Sequence, residues 1–164
     1  MKRLLPLLLC LFLLIGCIKS TGNEYRNAAF TAILPDTFEP VENVSIVCFA
    51  PHGNPLLSSS ITYAFTELNW YFDRFTEAEY AEELSALTGY ESLVLESVEP
   101  CKVDGCDARR IACKVVIEQG THDLIVYAIS ADRLHFFTLL NREGDSFVAP
   151  FDAMMKTLRF TEES

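Results

Sequence analysis

The chain opens on two unlike patterns of hydrophobicity. Lys2 and Arg3 are followed by an almost wholly apolar run over residues 4–15, LLPLLLCLFLLI. That run falls short of the roughly 20 residues that span a bilayer, and a basic start with a short apolar core is the pattern of an export signal. Residues 18–27, IKSTGNEYRN, are then polar and read as a tether. From residue 28 onward apolar positions come in short runs. Segments 29–34, 44–49 and 60–68 are rich in β-branched and aromatic residues and read as strands. Thr76-Glu77-Ala78-Glu79 is a capping box, Tyr80, Leu84 and Leu87 follow at helical spacing, and Gly89 is a stop, which predicts a helix over 76–88. Strands are expected over 92–98, 109–118, 122–129 and 134–141, with turns at Asp104-Gly105, Gln119-Gly120 and Ser130-Ala131-Asp132. Residues 147–158 carry Phe151, Met154, Met155 and Leu158 as a helical stripe, with Pro150 tolerable only near its start.

The parity of the strands carries further. Over 109–117 one parity is Arg109, Ile111, Cys113, Val115 and Ile117, giving one plainly buried side. Over 123–129 both parities are apolar, so that strand lies mid-sheet with cover on both sides. The expected fold class is therefore α+β, a mostly antiparallel sheet with helices on both faces, formed by one domain over residues 28–164.

Composition narrows the partners. Thirteen Lys and Arg stand against 23 Asp and Glu, a net charge of −10. An acidic chain without basic clusters is a poor ligand for phosphate backbones, so no nucleic acid is expected as a partner. The apolar run ends in Leu14-Ile15-Gly16-Cys17, which resembles the bacterial lipoprotein lipobox. That resemblance implies cleavage of residues 1–16 and acylation of Cys17, with membrane lipid as the first partner. The address it implies is the extracytoplasmic side of a bacterial cell membrane.

The order of elements resembles the PsbP-like family. Leu34-Pro35 closes the first strand, and residues 69–80 join a strand to a capped helix. Gly105-Cys106-Asp107-Ala108-Arg109-Arg110-Ile111 resembles the glycine-led strand that opens the family's C-terminal sheet. Residues 151–160, FDAMMKTLRF, resemble its closing helix and Thr-apolar-x-Phe ending. The resemblance implies an α-β-α sandwich shared by a photosystem II extrinsic subunit, a small Ran-binding import factor and many bacterial lipoproteins. It brings no catalytic residues to carry over. What it implies is a binding or assembly module for a protein, peptide or envelope component. The alternative is a small surface enzyme of hydrolase type or a small-ligand carrier.

Candidate chemistry is sparse. His52, His122 and His135 lie far apart and read as surface or packing residues, so no metal site is assigned. Ser58-Ser59-Ser60 lacks a G-x-S-x-G elbow, there is no phosphate-binding glycine motif, and neither a catalytic residue nor a cofactor is assigned. Glu77, Glu79, Glu82 and Glu83 read as a solvated helix face rather than a calcium loop. Residues 69–75, NWYFDRF, hold four aromatics on a connection, and Trp70 and Tyr71 are the candidate interaction pair. The competing reading of that stretch is a cap on the core.

Four cysteines remain in the expected domain: Cys48, Cys101, Cys106 and Cys113. If Asp104-Gly105 is a two-residue turn, Val103 pairs with Cys106, and Cys101 and Cys106 fall on one face at diagonal sites near the upper limit of bridging distance. Cys113 has the opposite parity, and Cys48 shares a side with Val44 and Ile46. Both read as buried thiols, with a second bridge as the alternative. A C-x4-C metal or redox pair lacks a second ligand pair. The expected bridge is Cys101–Cys106, contributing about 2 kcal/mol on the loop-entropy estimate. Mass spectrometry of non-reduced protein, cleaved between the two positions, is expected to find the halves linked. Free thiols at both positions in envelope-derived protein would refute the bridge.

Overall fold

The computed structural model describes residues 23–42, 44–55, 58–67, 76–117, 120–142 and 144–161 of the 164. The described elements are β1 (Glu24–Arg26), β2 (Phe30–Ile33), β3 (Phe38–Pro40), β4 (Val47–Pro51), β5 (Ser60–Thr66), α1 (Glu77–Thr88), β6 (Leu93–Val103), β7 (Cys106–Ile117), β8 (Gly120–Ser130), β9 (Leu134–Asn141), α2 (Val148–Thr157) and β10 (Arg159–Phe160). Strands dominate. Seven form one antiparallel sheet in the order β3-β4-β5-β9-β8-β7-β6, and β1-β2-β10 form a small second sheet.

The large sheet is held by an interior strand, β8. Six successive residues of β8, Leu124 to Ile129, are buried. Their two parities enter different clusters. Leu124, Val126 and Ala128 pack with Ile111, Cys113, Val115 and Phe136, together with Tyr80 and Leu84 of α1. Ile125, Tyr127 and Ile129 pack with Phe137 and Leu139, with Phe30 and Ala32 of β2, and with Phe151, Met154 and Met155 of α2. Each helix thus supplies a different cluster.

Local chemistry explains the boundaries. Thr76 Oγ1 caps α1 by accepting from the Glu79 amide, Glu79 Oε2 accepts from the Thr76 amide at 2.6 Å, and Gly89 closes the helix at φ 74°. Asp104 and Gly105 have φ of 50° and 79°, the positive pair of a type I′ turn, and Val103 pairs with Cys106. This hairpin fixes the register of β6 and β7.

Several elements depart from the expectation. Residues 24–26, read as part of the tether, form β1, because Tyr25 sets its ring 4.7 Å from Phe49 and 5.7 Å from Phe30. β6 runs on through Pro100 rather than ending near residue 98. As an edge strand it tolerates proline, and a bulge between Leu95 and Ser97 interrupts its ladder. β4 starts at Val47 rather than 44, and β3 and β10 are too short to show a period.

Helix α2 is docked by an ion pair with a third partner. Arg110 Nε and Nη2 donate to the two oxygens of Asp152 at 3.0 and 3.1 Å, and Tyr127 Oη donates to the same carboxylate at 2.8 Å. Arg110 and Tyr127 are cross-strand partners on β7 and β8. Asp152→Ala leaves a half-buried guanidinium and a buried phenol without their acceptor. The expected cost is about 2 kcal/mol, read as a lowered denaturation midpoint. Asp107→Ala breaks only the exposed Lys102–Asp107 pair and is expected to leave the midpoint unchanged.

Candidate functional site

At one end of the sheet a cavity of about 510 Å³ lies where β5 ends and β9 begins. Tyr63 and Phe65 come from β5, and His135 stands opposite Phe65 on β9. The β8–β9 turn supplies Asp132 and Arg133, the β6–β7 hairpin supplies Asp104 and Cys106, and Phe160 comes from β10. Ala28 and Ala29 form the remaining wall, in a turn where Asn27 Oδ1 accepts from the amides of Ala29 and Phe30. Small side chains on that wall leave the space open.

Three side chains form a row through this cavity. His135 Nε2 lies 2.9 Å from Asp132 Oδ1, and His135 Nδ1 lies 3.0 Å from Tyr63 Oη. The hydrogen bond to His135, with further bonds from Arg133, holds the Asp132 carboxyl down at about 2. An ionised carboxylate only accepts, so Nε2 carries the hydrogen. In the neutral ring Nδ1 then accepts from the Tyr63 hydroxyl. The phenol is pushed above its usual range, chiefly by burial, with the Asp132 charge adding and Arg133 opposing. Tyr63 is therefore a neutral donor to His135, poorly suited to attack as a phenolate at neutral pH.

The rim is aromatic. Phe65 is 51% exposed, and the Arg133 guanidinium carbon lies 4.8 Å from its ring centroid. Arg133 also meets Asp132 at 2.9 Å and Glu67 at 3.6 Å. Phe160 sets its ring 4.4 Å from that of His135, and its amide donates to Asp104 Oδ2 at 2.8 Å. The hairpin tip thus pins β10 beside the cavity.

The residues singled out in the sequence fall elsewhere for the most part. Trp70, Tyr71 and Cys17 lie outside the described residues. Cys101 stands opposite Ala108 and Cys106 opposite Val103, both half-buried beside the cluster that holds Ala108, and burial raises both thiols above their usual range. Cys106 also lines the cavity. Cys113 is fully buried beside Ile111 and Val115, and burial pushes its thiol up to about 12. Ser59 accepts from the Arg142 amide and donates to Asp145, fastening the loop after β9 to the start of β5. Among the described residues no group of three His, Cys, Asp or Glu side chains is placed to hold a metal.

Sequence reasoning missed Tyr63 and Asp132 and took His135 for a packing residue. The available signal was parity: His135 shares a side with Phe137 and Leu139, and an inward imidazole needs a partner. Asp132, three residues earlier across a tight turn, is the nearest carboxylate in the sequence. A second cavity of about 300 Å³ lies between Leu87 at the end of α1, Tyr90 just past it, and the β5–β9 surface; among the described residues hydroxyls line it, but no carboxylate, imidazole or cation.

Solved structures give the comparison. The chain matches the solution structure of cyanobacterial PsbP (CyanoP) from Synechocystis with a TM-score of 0.62 at 14% identity, over 89% of this chain and 96% of that one. The fold is PsbP-like. A crystal structure from Bacteroides thetaiotaomicron matches with a TM-score of 0.57 at 12% identity, over 87% of this chain and 50% of that one, so the chain spans half of its length. No family model and no curated protein matches the chain. No described helix of the chain is long and apolar enough to cross a membrane.

Asp132 gives a pH prediction. Its carboxyl is depressed in the folded state, so its contribution to stability is present above about pH 4, where the unfolded group is ionised. That contribution is lost as pH falls through the folded value of about 2. Asp132→Asn is expected to unfold at lower denaturant than the parent at pH 6 and to converge with it near pH 2. A gap that stays constant across that range would contradict the assignment.

Proposed function

We propose that this chain is a lipid-anchored extracytoplasmic module that binds a protein, peptide or envelope component and has no catalysis of its own. The observation that carries this reading is the cavity at the end of the sheet. Its phenol, imidazole and carboxylate are bonded to one another, while an aromatic rim stays open to a partner. The lipobox-like Leu14-Ile15-Gly16-Cys17 supports the anchor, with Cys17 taking the lipid at a bacterial membrane. We read the architecture as a three-layer α-β-α sandwich with α1 and α2 on opposite faces, supported by their separate clusters. In an oxidising envelope, Cys101 and Cys106 are the pair we expect to bridge.

The row of Tyr63, His135 and Asp132 favours one second reading, a small surface enzyme in which Tyr63 passes a proton. Burial of the phenol opposes that role at neutral pH.

The test joins anchor and cavity. In cells, Cys17→Ser is expected to release the domain from the membrane fraction or to stall it as uncleaved precursor. Phe65→Ala, at an exposed rim position, is expected to lower the yield of partner cross-linked in membranes by about tenfold, with an unchanged denaturation midpoint. Normal processing and retention of the Cys17 variant overturns the anchor. An unchanged cross-link from the Phe65 variant overturns the cavity as the binding site.

A further inference from the structure

We propose that the end-of-sheet cavity takes an organic cation, an alkylammonium or guanidinium carried on an apolar body. This deepens the binding reading above and rests on the same cavity.

The argument is one of hydrogen-bond supply. His135 directs its N–H at Asp132, Tyr63 directs its O–H at His135, and Arg133 directs Nε at Asp132 and Nη1 toward Glu67. These donors are turned on partners within the protein. Acceptors remain. Tyr63 is a buried residue of the lining, and its oxygen, which donates one bond, keeps acceptor capacity. Asp132 accepts from His135, from the Arg133 guanidinium and from the Arg133 amide, which leaves room on the carboxylate for a further donor, and its side chain is 58% exposed. Asp104 adds a second carboxylate to the lining, with Oδ2 accepting from the Phe160 amide and Oδ1 facing Arg159 Nε at 3.5 Å. A ligand entering here must therefore bring donors.

The aromatic faces select the same chemistry. Phe65, Phe160 and Tyr63 present rings to a space whose other apolar lining is three alanines, while Thr161 adds a hydroxyl that can accept as well as donate, and the volume is enough for one amphipathic group. Rings beside carboxylates are the usual receptor for a cation on a hydrocarbon stem. Arg133 already shows the fit from within the chain: its guanidinium lies over Phe65, flanked by Asp132 and Glu67. An anion finds the opposite, because the cation at the rim is already neutralised. The net charge of −10 draws cations toward the whole molecule.

The probes are phenethylamine, its neutral isostere 2-phenylethanol, and phenylacetate, followed by NMR of the full-length protein at pH 7. Phenethylamine is expected to shift the His135 and Phe65 ring signals and to bind about tenfold more tightly than the alcohol. Its binding is expected to weaken at about 0.5 M salt and in both Asp132→Asn and Phe65→Leu. The Phe65 position is exposed, so that variant reports on the cavity even if Asp132→Asn perturbs folding. Two further arms, acetyl-Phe-Lys-amide and acetyl-Phe-norleucine-amide, separate the sources of the cation. Preference for the lysine peptide over phenethylamine assigns a basic side chain of a partner, and the reverse assigns a small amine. The proposal is overturned if the alcohol or phenylacetate binds as tightly as the amine, or if no cationic probe shifts these rings at about 10 mM. Selective binding of the amine beside an unchanged membrane cross-link in Phe65→Ala would retain this inference and reject the partner reading. The opposite pattern would do the reverse.

Discussion

Because six consecutive residues of β8 are buried, neither side of the central ladder can be left to water. That constraint recruits the rest of the chain. One core cluster is completed by residues of α1. The other draws in β2, α2 and, through β2, the small sheet. Tyr127 on β8 shows how tightly the requirement is met. Its ring packs in the core against Phe151, and its hydroxyl ends on the carboxylate that also holds Arg110. Burial of an apolar strand and the docking of α2 are one arrangement.

The cavity arises where this coverage stops. At the start of β9 the turn after β8 brings in charge, and His135 is the first polar side chain on the inner parity. An imidazole placed there must be bonded at both nitrogens, and Asp132 and Tyr63 do so from opposite sides. The row thus answers a burial problem before it serves any ligand. Its consequence for binding is indirect: by absorbing the local donors it leaves the space bordered by acceptors and rings.

Much of this was legible in the sequence where a local signal and a tertiary role agree. The capping box and Gly89 set the bounds of α1, Asp104-Gly105 set the β6–β7 turn, and the apolar span of β9 matched 134–141. Elements that depend on tertiary placement were harder to read. Pro100 reads as a breaker until β6 is known to be an edge strand. β1 lies in polar sequence and owes its strand to one tyrosine against two phenylalanines. The cavity was the least legible part, because Tyr63 reaches His135 only through the β5–β9 register, 72 residues apart in the chain. Pairings of that range leave no mark on local periodicity.

The small sheet carries a consequence for the order in which the molecule can assemble. β2 is paired on one side by β1, a few residues upstream, and on the other by β10. The Ile33 amide is also held by Thr157 Oγ1, 124 residues away. Phe30, at the heart of one core, therefore waits for a partner made long after it leaves the ribosome. Closing so long a loop is entropically slow, and nearer contacts form first. Within the β6–β7–β8–β9 meander every ladder joins consecutive strands, which makes it the natural early structure, with the β2–β10 pairing as the step that seals the fold.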